Sequence, residues 1–309
     1  MTVLEAIQKS AEFLAKRNVE SPRLQAELLL AQALKMPRMK LYLNFDRALT
    51  AAETDALREM VKRRGLREPL QHIVGSTSFC GLEIAVNRHA LVPRPETELL
   101  AETGWKFLST GKQQPATALD FGTGSGCIAI ALAAKCPDAQ IAALDVSAAA
   151  LALAKENAAK NRVSGRIEFY HGDGFGALPV VAQASGRRGS TEHTGGTPVP
   201  LFDLIISNLP YIPSAEIETL QPEVRDFDPR AALDGGADGL DFYRMFARQA
   251  KPFLKPDGKI MLEFGDGQAD AIKEILAGEN WIVEAVQEDY SQRARILIIK
   301  SSSSSSLSS

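Results

Sequence analysis

The sequence predicts an α/β protein in which a doubly wound, mostly parallel sheet follows a small helical bundle. From residue 116 onward, apolar strand-like segments alternate with helical segments, the pattern of a parallel sheet covered by helices on both faces. Residues 1–75 instead carry apolar residues at helical spacing. Between the two, residues 76–92 contain short strand-like pieces around Gly81, which predict a β-hairpin linker.

The helical bundle is predicted over residues 1–75. A Ser-Pro dipeptide at 21–22 predicts an N-cap with proline at the first helical position. Thr50 and Glu53 have the spacing of a capping box, and Gly65 fits a C-terminal stop. This region holds 13 Lys and Arg against 9 Asp and Glu. Such a mild positive excess suits either a solvated helical surface or an RNA-rich partner.

The larger region is predicted over residues 93–300. Its loop LVPRPETELL (91–100) opens a helix near Glu96. Strands are predicted at 116–121, 140–145, 166–170, 203–207, 258–264, 281–288 and 293–299, with helices at 126–135, 147–161, 238–252 and 267–278. The last two strands follow each other without a helix, so we expect an antiparallel hairpin at the edge of the sheet.

Two segments are predicted to lie outside this core. Residues 182–200 are rich in Gly, Ser, Thr and Pro and predict an inserted surface loop. The Ser-rich stretch 301–309 is of low complexity and is predicted to be disordered.

Composition excludes several classes of function. A net charge of −3 gives no global electrostatic case for a nucleic-acid or membrane partner. Three scattered cysteines without a C-x-x-C pair, and four histidines without ligand spacing, predict neither a disulfide framework nor a metal site. The first ten residues lack the apolar stretch of a signal peptide, and no apolar run is long enough for a membrane span. We therefore expect a cytoplasmic protein.

A glycine-rich loop, DFGTGSG (120–126), lies between a predicted strand and a predicted helix. Gly122, Gly124 and Gly126 allow the backbone to approach a ligand closely, and the helix N-terminus offers unpaired N–H groups. Asp145 ends the next strand, where its carboxylate can accept hydrogen bonds from two ribose hydroxyls.

A third strand end carries the sequence HGDGF. There Asp173 is placed to bind an adenine amino group, with Gly174 and Phe175 lining the ring. Together the three strand ends indicate S-adenosylmethionine binding. NAD is the competing ligand, although its usual fingerprint is G-x-G-x-x-G rather than the G-x-G-x-G found here, and a tight turn without a ligand is the structural alternative.

The fourth strand ends in the tetrad Asn208, Leu209, Pro210 and Tyr211. The Asn208 Oδ1 atom and a backbone carbonyl, that of Leu209, can each accept one N–H of a planar NH2 group. The held nitrogen then presents its lone pair to a methyl donor, so catalysis proceeds by orientation and electrostatics. Tyr211 can pack against the flat acceptor. Without the upstream loop, the same residues would suit an ordinary turn.

These motifs resemble the HemK/PrmC family, the release factor glutamine methyltransferases. The resemblance extends from residue 1 to residue 300 and includes EPLQHIVGSTSFCGLEI (68–84), LVPRPETE (91–98), DFGTGSG, NLPYIP and PEVRDFDPRAALDGGADGLDFYR (222–244). It implies a Rossmann-like class I methyltransferase domain with a seven-stranded sheet. It also implies methyl transfer from S-adenosylmethionine to the glutamine side-chain nitrogen (N5) in the Gly-Gly-Gln motif of class 1 peptide chain release factors.

Carried over by position, the resemblance assigns two sets of site residues. The donor-binding set is Gly122, Thr123, Gly124, Ser125, Gly126, Asp145, Asp173, Gly174 and Asn208. The acceptor set is Asn208, Leu209, Pro210, Tyr211 and Ile212, of which the first four are the catalytic tetrad. The linker around Arg94 and Glu96 is expected to shape the cavity, and the N-terminal helices to contact the release factor. The expected form is a monomer without a nucleic-acid substrate.

One position departs from the family pattern. The family has N-P-P-Y, whereas Leu209 stands in the second position here. The N-L-P-Y spelling also occurs in rRNA adenine dimethyltransferases, so an adenine-N6 methyltransferase acting on flipped bases of DNA or RNA is the alternative function. The acidic charge of the catalytic half and the lack of a separate base-recognition domain favour glutamine.

Overall fold

The structure is a computed structural model that describes residues 1–110, 115–179 and 201–302. The loop predicted at 182–200 and residues 303–309 of the predicted tail lie outside these ranges. The described residues divide into two compact units. Unit 1 comprises Met1–Thr77, Val86–Arg88 and Thr219–Asp228, and unit 2 comprises the described residues of Ser78–Ala85, His89–Glu218 and Pro229–Ser309.

Helices and strands follow the order expected for a helical region and an α/β region. The helices are α1 (Val3–Ala15), α2 (Pro22–Ala33), α3 (Arg38–Leu41), α4 (Ala51–Gly65), α5 (Leu70–Val74), α6 (Pro95–Thr110), α7 (Cys127–Lys135), α8 (Ala148–Lys160), α9 (Pro222–Arg225), α10 (Asp241–Gln249) and α11 (Ala269–Gly278). The strands are β1 (Ser76–Phe79), β2 (Leu82–Ala85), β3 (Thr117–Phe121), β4 (Gln140–Asp145), β5 (Ile167–His171), β6 (Phe202–Asn208), β7 (Leu254–Glu263), β8 (Trp281–Glu288) and β9 (Ala294–Ser301). Within the described ranges, no helix combines the length and apolar character that a membrane span requires.

Unit 1 is a helical bundle around a core of aliphatic side chains from α1, α2 and α4. The capping box predicted at Thr50 is present: its hydroxyl accepts from the Glu53 N–H at 3.2 Å, and the Glu53 carboxylate accepts from the Thr50 N–H at 2.9 Å. Thr2 and Glu5 form a second capping box at the start of α1. Each box satisfies backbone donors that the first turn of a helix leaves without partners.

Two details of unit 1 differ from the sequence prediction. Ser21 precedes α2 with a left-handed φ of 46°, and its side chain makes no capping hydrogen bond. Gly65 is the last residue of α4, but the left-handed residue after the helix is Arg67, with a φ of 70°. A Cβ at Gly65 would come within 2.5 Å of the Phe13 ring. A side chain at position 65 would therefore require the Phe13 ring, which is 38% exposed, to move.

A carboxylate on α9 is held by two arginines of unit 1. Glu223 accepts from Arg64 at 2.6 Å and, through both oxygens, from Arg67 at 2.7 and 2.6 Å. The side chain of Arg64 is 5% exposed and that of Glu223 is 16% exposed. Burial opposes the ionised form of Glu223, but the hydrogen bonds from both arginines prevail and lower its pKa.

We expect Glu223→Ala to lower the free energy of unfolding by about 2 kcal/mol, since it leaves the buried Arg64 guanidinium without its carboxylate. Urea denaturation followed by circular dichroism measures this loss. Asp55→Ala is the control, because Asp55 and Arg58 form an ion pair whose side chains are 69% and 73% exposed, and such exposed pairs contribute little. Equal midpoints for Glu223→Ala and Asp55→Ala would contradict the prediction.

Unit 2 is built on a seven-stranded sheet of order β5-β4-β3-β6-β7-β9-β8. Strands β3 to β7 run parallel, whereas β9 is antiparallel to both β7 and β8. The predicted α/β fold with a mostly parallel sheet is confirmed. The terminal hairpin is also present, with β8 on the outer edge and β9 inside. Strand β9 runs to Ser301, which is paired with Trp281.

Candidate functional site

The site lies where the strand order of unit 2 reverses. Strands β3 and β6 are neighbours, and from this pair the chain proceeds outward in opposite directions along the sheet. In such sheets, ligands bind in the crevice at the carboxyl ends of the strands beside this switch point. A cavity is present there, and it is lined by residues that follow β3, β4, β5 and β6, together with the segment from His89 to Thr97.

The glycine loop after β3 forms one wall of the cavity. Gly122 and Gly124 have φ values of 72° and 54°, a region that disfavours side chains. A Cβ at Gly122 would meet no atom within 4 Å, and one at Gly124 would meet only the Ala90 Cβ at 3.9 Å. These glycines therefore leave space at the cavity wall that any side chain would occupy.

Asp145, at the end of β4, is tied to this loop. Its Oδ2 accepts from the Gly124 N–H at 2.8 Å, and its Oδ1 accepts from the Ser147 N–H at 2.8 Å. The Gly122 and Thr123 N–H groups both donate to the Leu144 carbonyl, at 2.8 and 2.9 Å. The end of β4 and the glycine loop thus hold each other in one conformation.

Asp120, near the end of β3, hydrogen-bonds the glycine loop and the first turn of α7. This role was not predicted from the sequence. Asp120 is 0% exposed, and its Oδ2 accepts from the Thr123 hydroxyl at 2.6 Å and from the Ala129 N–H at 3.0 Å. Its Oδ1 has no hydrogen-bond partner among the residues that the structure describes. Burial raises the pKa of Asp120 to about 7, against the hydrogen bonds from Thr123 and Ala129, which lower it.

The loop after β5 places Asp173 and Gly174 at the cavity, with Asp173 exposed. Phe175, predicted to line a ligand ring, is instead 2% exposed. Its ring contacts those of Phe121, Phe246 and Phe253, with centroids 4.8 to 5.1 Å apart. Phe175 therefore belongs to the hydrophobic core beneath the site, because the short 3-10 turn Phe175–Ala177 directs its side chain inward.

Asn208 ends β6 and lies at the cavity. Its Nδ2 donates to the hydroxyl of Thr97, in the first turn of α6, at 3.1 Å. The Oδ1 atom is then the part of the amide that can accept from a ligand. Leu209 also contributes to the lining but is only 2% exposed, with its side chain in the core cluster. Pro210 follows it along the cavity wall.

Three of the predicted site residues do not belong to the lining of this cavity. Gly126 precedes α7 with a φ of 82°, and a Cβ there would come within 3.0 Å of the Ala154 Cβ. The Tyr211 carbonyl accepts from Gln268 Nε2 at 2.8 Å. Ile212 exchanges backbone hydrogen bonds with Leu233 and Gly235 at 3.0 and 2.9 Å. The contacts of these three residues are with neighbouring segments of unit 2.

The linker contributes Arg94 and Thr97 to the lining, whereas Glu96 is exposed and outside it. Thr97 is 3% exposed and also hydrogen-bonds the carboxylate of Glu263, which is equally buried. Burial raises the pKa of Glu263 to about 7, while the Thr97 hydrogen bond opposes this shift. Neither Thr97 nor Glu263 was predicted from the sequence, although Thr97 lies in the RPETE motif that also contains Arg94 and Glu96.

We expect Leu209→Ala to lower the free energy of unfolding by about 2–4 kcal/mol, because it leaves a cavity in the core. The turnover of the folded protein should stay within about threefold of the original, because the Leu209 side chain is buried in the core cluster and the predicted acceptor contact is made by its backbone carbonyl. Thermal unfolding and turnover rates measure the two effects. Leu209→Met, which preserves volume, serves as the control. A variant with unchanged stability and abolished turnover would show that the side chain itself acts on the substrate.

Known proteins resemble this chain along most of its length. Residues 5–75 match the family of the PrmC N-terminal domain, and residues 98–181 match the methyltransferase small domain. A release factor glutamine methyltransferase of Geobacter sulfurreducens is 42% identical over 271 residues, which cover 88% of this chain and 87% of that protein. The chain belongs to the release factor glutamine methyltransferase family. An enzyme of the same description from Chlorobaculum tepidum is 38% identical over 95% of both chains.

A solved structure of much lower identity shares the fold. The hMettl16 catalytic domain, solved in complex with the MAT2A 3'UTR hairpin 1, superposes with a TM-score of 0.52 at 16% identity, covering 79% of this chain and 80% of that chain. At this identity the likeness shows the fold alone. The family resemblance predicted from the motifs is confirmed. The predicted activity, that of a release factor glutamine methyltransferase, is confirmed with it.

Proposed function

We propose that this chain transfers a methyl group from S-adenosylmethionine to the N5 amide nitrogen of the glutamine in the Gly-Gly-Gln motif of class 1 peptide chain release factors. The observation that carries the proposal is the Asn208 amide. Its Nδ2 is engaged by the buried Thr97 hydroxyl at 3.1 Å, at the switch point and beside the glycine loop. Membership of a methyltransferase family supports S-adenosylmethionine as the donor.

The residues at the cavity fit this donor. The space beside Gly122 and Gly124, which a Cβ would fill, admits a ligand against the loop backbone. Asp145 would accept from the ribose hydroxyls, and the loop at Asp173 and Gly174 would lie at the adenine. When bound, S-adenosylmethionine supplies an electrophilic methyl group on a positively charged sulfur.

The acceptor residues are proposed to act by orienting the glutamine amide. An amide nitrogen is a poor nucleophile because its lone pair is delocalised into the carbonyl group. In our proposal, Asn208 Oδ1 accepts one N–H of the glutamine amide and the Leu209 carbonyl accepts the other. The nitrogen is then fixed with its lone pair toward the methyl group. Positioning of this kind can contribute roughly 7–11 kcal/mol at best. No strong base is needed, since a proton can leave the nitrogen after the transfer.

The release factor is proposed to bind through unit 1 as well as through the cavity. The N-terminal helices of unit 1 are proposed to contact the release factor, in line with their mild basicity and with the match to the PrmC N-terminal domain. We further propose that the protein acts in the cytoplasm, as a monomer and without a nucleic-acid substrate.

The test is to incubate the chain with methyl-labelled S-adenosylmethionine, a purified class 1 release factor, and DNA or rRNA in parallel, and then to map the label. We expect label on the Gly-Gly-Gln glutamine and none on nucleic acid. A release factor with alanine in place of that glutamine is the matched control and should take up no label. Label on adenine, with none on the release factor, would replace this proposal by the adenine-N6 alternative.

A further inference from the structure

Asn208 and Glu263 end two adjacent parallel strands of the sheet. They are register partners of β6 and β7, so their side chains project from the same face of the sheet. Helix α6 packs against both strands and brings Thr97 to both side chains: Thr97 accepts from Asn208 Nδ2 at 3.1 Å and hydrogen-bonds the Glu263 carboxylate. Three polar side chains from three elements therefore meet here: Thr97 and Asn208 line the cavity, and Glu263 lies behind them.

The hydrogen count of this cluster determines how the amide is oriented. A threonine hydroxyl has one hydrogen, and an ionised carboxylate can only accept. While Glu263 is ionised, the Thr97 hydrogen is directed to it, and the Thr97 oxygen can only accept from Asn208. The Asn208 amide must then direct Nδ2 to Thr97 and Oδ1 to the cavity. The reverse amide orientation would place two N–H donors against the N–H groups of the acceptor.

Protonation of Glu263 would remove this restriction. A neutral carboxyl can donate to the Thr97 oxygen, after which the Thr97 hydrogen is available to Asn208 Oδ1 and the amide can rotate by half a turn. The carboxyl is strongly buried: Glu263 is 3% exposed, and its Oε2 has no hydrogen-bond partner in the described part of the chain. A buried carboxylate with one unsatisfied oxygen is costly for the fold, and such a cost at a ligand cavity suggests a functional role.

We propose that Glu263 is a positioning residue for Asn208 and that, through the Thr97 hydroxyl, its carboxylate holds the Asn208 amide with Oδ1 toward the acceptor. The inference rests on the proposed function, because it concerns the same acceptor amide. Glu263 does not touch the substrate in this scheme. It acts only through Thr97, and the two residues therefore form one functional unit with Asn208.

The scheme predicts a pH dependence. The groups that face Glu263 are Arg94 and Glu96 beside Thr97, Arg295 on β9, Tyr211 after β6 and Tyr243 on α10. Burial and Glu96 raise the pKa of Glu263, whereas Thr97, Arg295 and Arg94 lower it, and the result is about 7. Above this pH the carboxylate is ionised and the amide is locked. The methyl-transfer rate should therefore rise as the pH increases through about 7.

The experiment measures single-turnover methylation of a purified class 1 release factor at saturating S-adenosylmethionine, from about pH 6 to about pH 9, with donor affinity measured by calorimetry. For Glu263→Gln we expect an unchanged donor affinity and a rate about tenfold lower at high pH, the equivalent of one hydrogen bond to a charged group. The rise through neutral pH should also disappear, because a glutamine amide can donate to Thr97 at any pH.

Variants at Thr97 separate positioning from a general structural effect. Thr97→Ser keeps the hydroxyl and should retain the rate and its pH profile. Thr97→Val removes the relay and should be as slow as Glu263→Gln, and adding Glu263→Gln to Thr97→Val should cause no further loss. Three results would each overturn the inference. They are a double variant whose loss of rate is the product of the two single losses, an unchanged rate in Glu263→Gln, and a wild-type rate that is flat across neutral pH. A wild-type chain that transfers no label to the release factor would instead contradict the proposed function.

Discussion

Asn208→Ala is expected to lower the rate of methyl transfer by a factor of about 100 to 1000, the usual effect of removing one preorganised hydrogen-bonding group from an active site. Without Oδ1, the glutamine NH2 group would be held by one carbonyl and could rotate away from the methyl group. Affinity for S-adenosylmethionine should change by no more than about twofold, because in our proposal Asp145 and the glycine loop hold the donor, whereas Asn208 Oδ1 accepts from the glutamine. Single-turnover methylation and calorimetry measure the two quantities.

Asn161→Ala provides the matched control for this prediction. The Asn161 amide also lies in unit 2 and donates to the carbonyls of Glu83 and Asn157, both at 2.9 Å, but it does not line the cavity. Its loss should leave the methylation rate unchanged. If Asn208→Ala kept more than about a tenth of the original rate, another group would have to orient the glutamine. If it mainly weakened donor binding, the donor-binding role that the resemblance also assigns to Asn208 would be its main role.

The elements of the α/β unit could be predicted because their signals are local. The strand predicted at 281–288 is observed as Trp281–Glu288, and the helix predicted at 267–278 as Ala269–Gly278. Apolar runs, helical periodicity and glycine turns are properties of adjacent residues, and the order of strands and helices then leaves few possible topologies. The four strand ends that meet at the cavity follow from the same reasoning, since parallel strands present their carboxyl ends at one edge.

Side-chain direction and close packing were less accessible from the sequence. Phe175 follows a strand end in the expected place, yet one 3-10 turn directs its ring into the core. Gly65 has the sequence context of a helix stop, but it is still part of α4, and the Phe13 ring packs against it. The rings that surround Phe175 in the core, and the ring that packs against Gly65, come from distant parts of the sequence, and a local pattern carries no information about them.

The same limit explains why the cluster behind the acceptor amide was missed. Thr97 and Asn208 are 111 positions apart, and Glu263 reaches them only through the register of β6 and β7. A lone threonine and a strand-end glutamate have no distinctive spacing. Only the assembled sheet shows that the buried carboxylate, the hydroxyl and the amide form one hydrogen-bonded chain.

Asp145→Ala is expected to have the reverse effect of Asn208→Ala. The dissociation constant for S-adenosylmethionine should rise about 10- to 100-fold, the equivalent of one or two hydrogen bonds to a charged group. At saturating donor, the rate of methyl transfer should stay within about threefold of the original, because the acceptor amide is unchanged. Calorimetry and methylation at increasing donor concentration measure these effects. Asp138→Ala, at an exposed position of the same unit, is the control and should bind normally.

The structure makes a sharper test necessary, because the Asp145 carboxylate also accepts from the Gly124 and Ser147 N–H groups. A loss of affinity could therefore come from a loosened loop rather than from lost ribose contacts. The two causes are separated by comparing S-adenosylhomocysteine with its 2′-deoxy analogue. The original protein should bind the deoxy form about tenfold more weakly, whereas Asp145→Ala should bind both forms equally weakly. If Asp145→Ala still preferred the hydroxylated ligand, then Asp145 would serve the loop and the ribose would be held elsewhere.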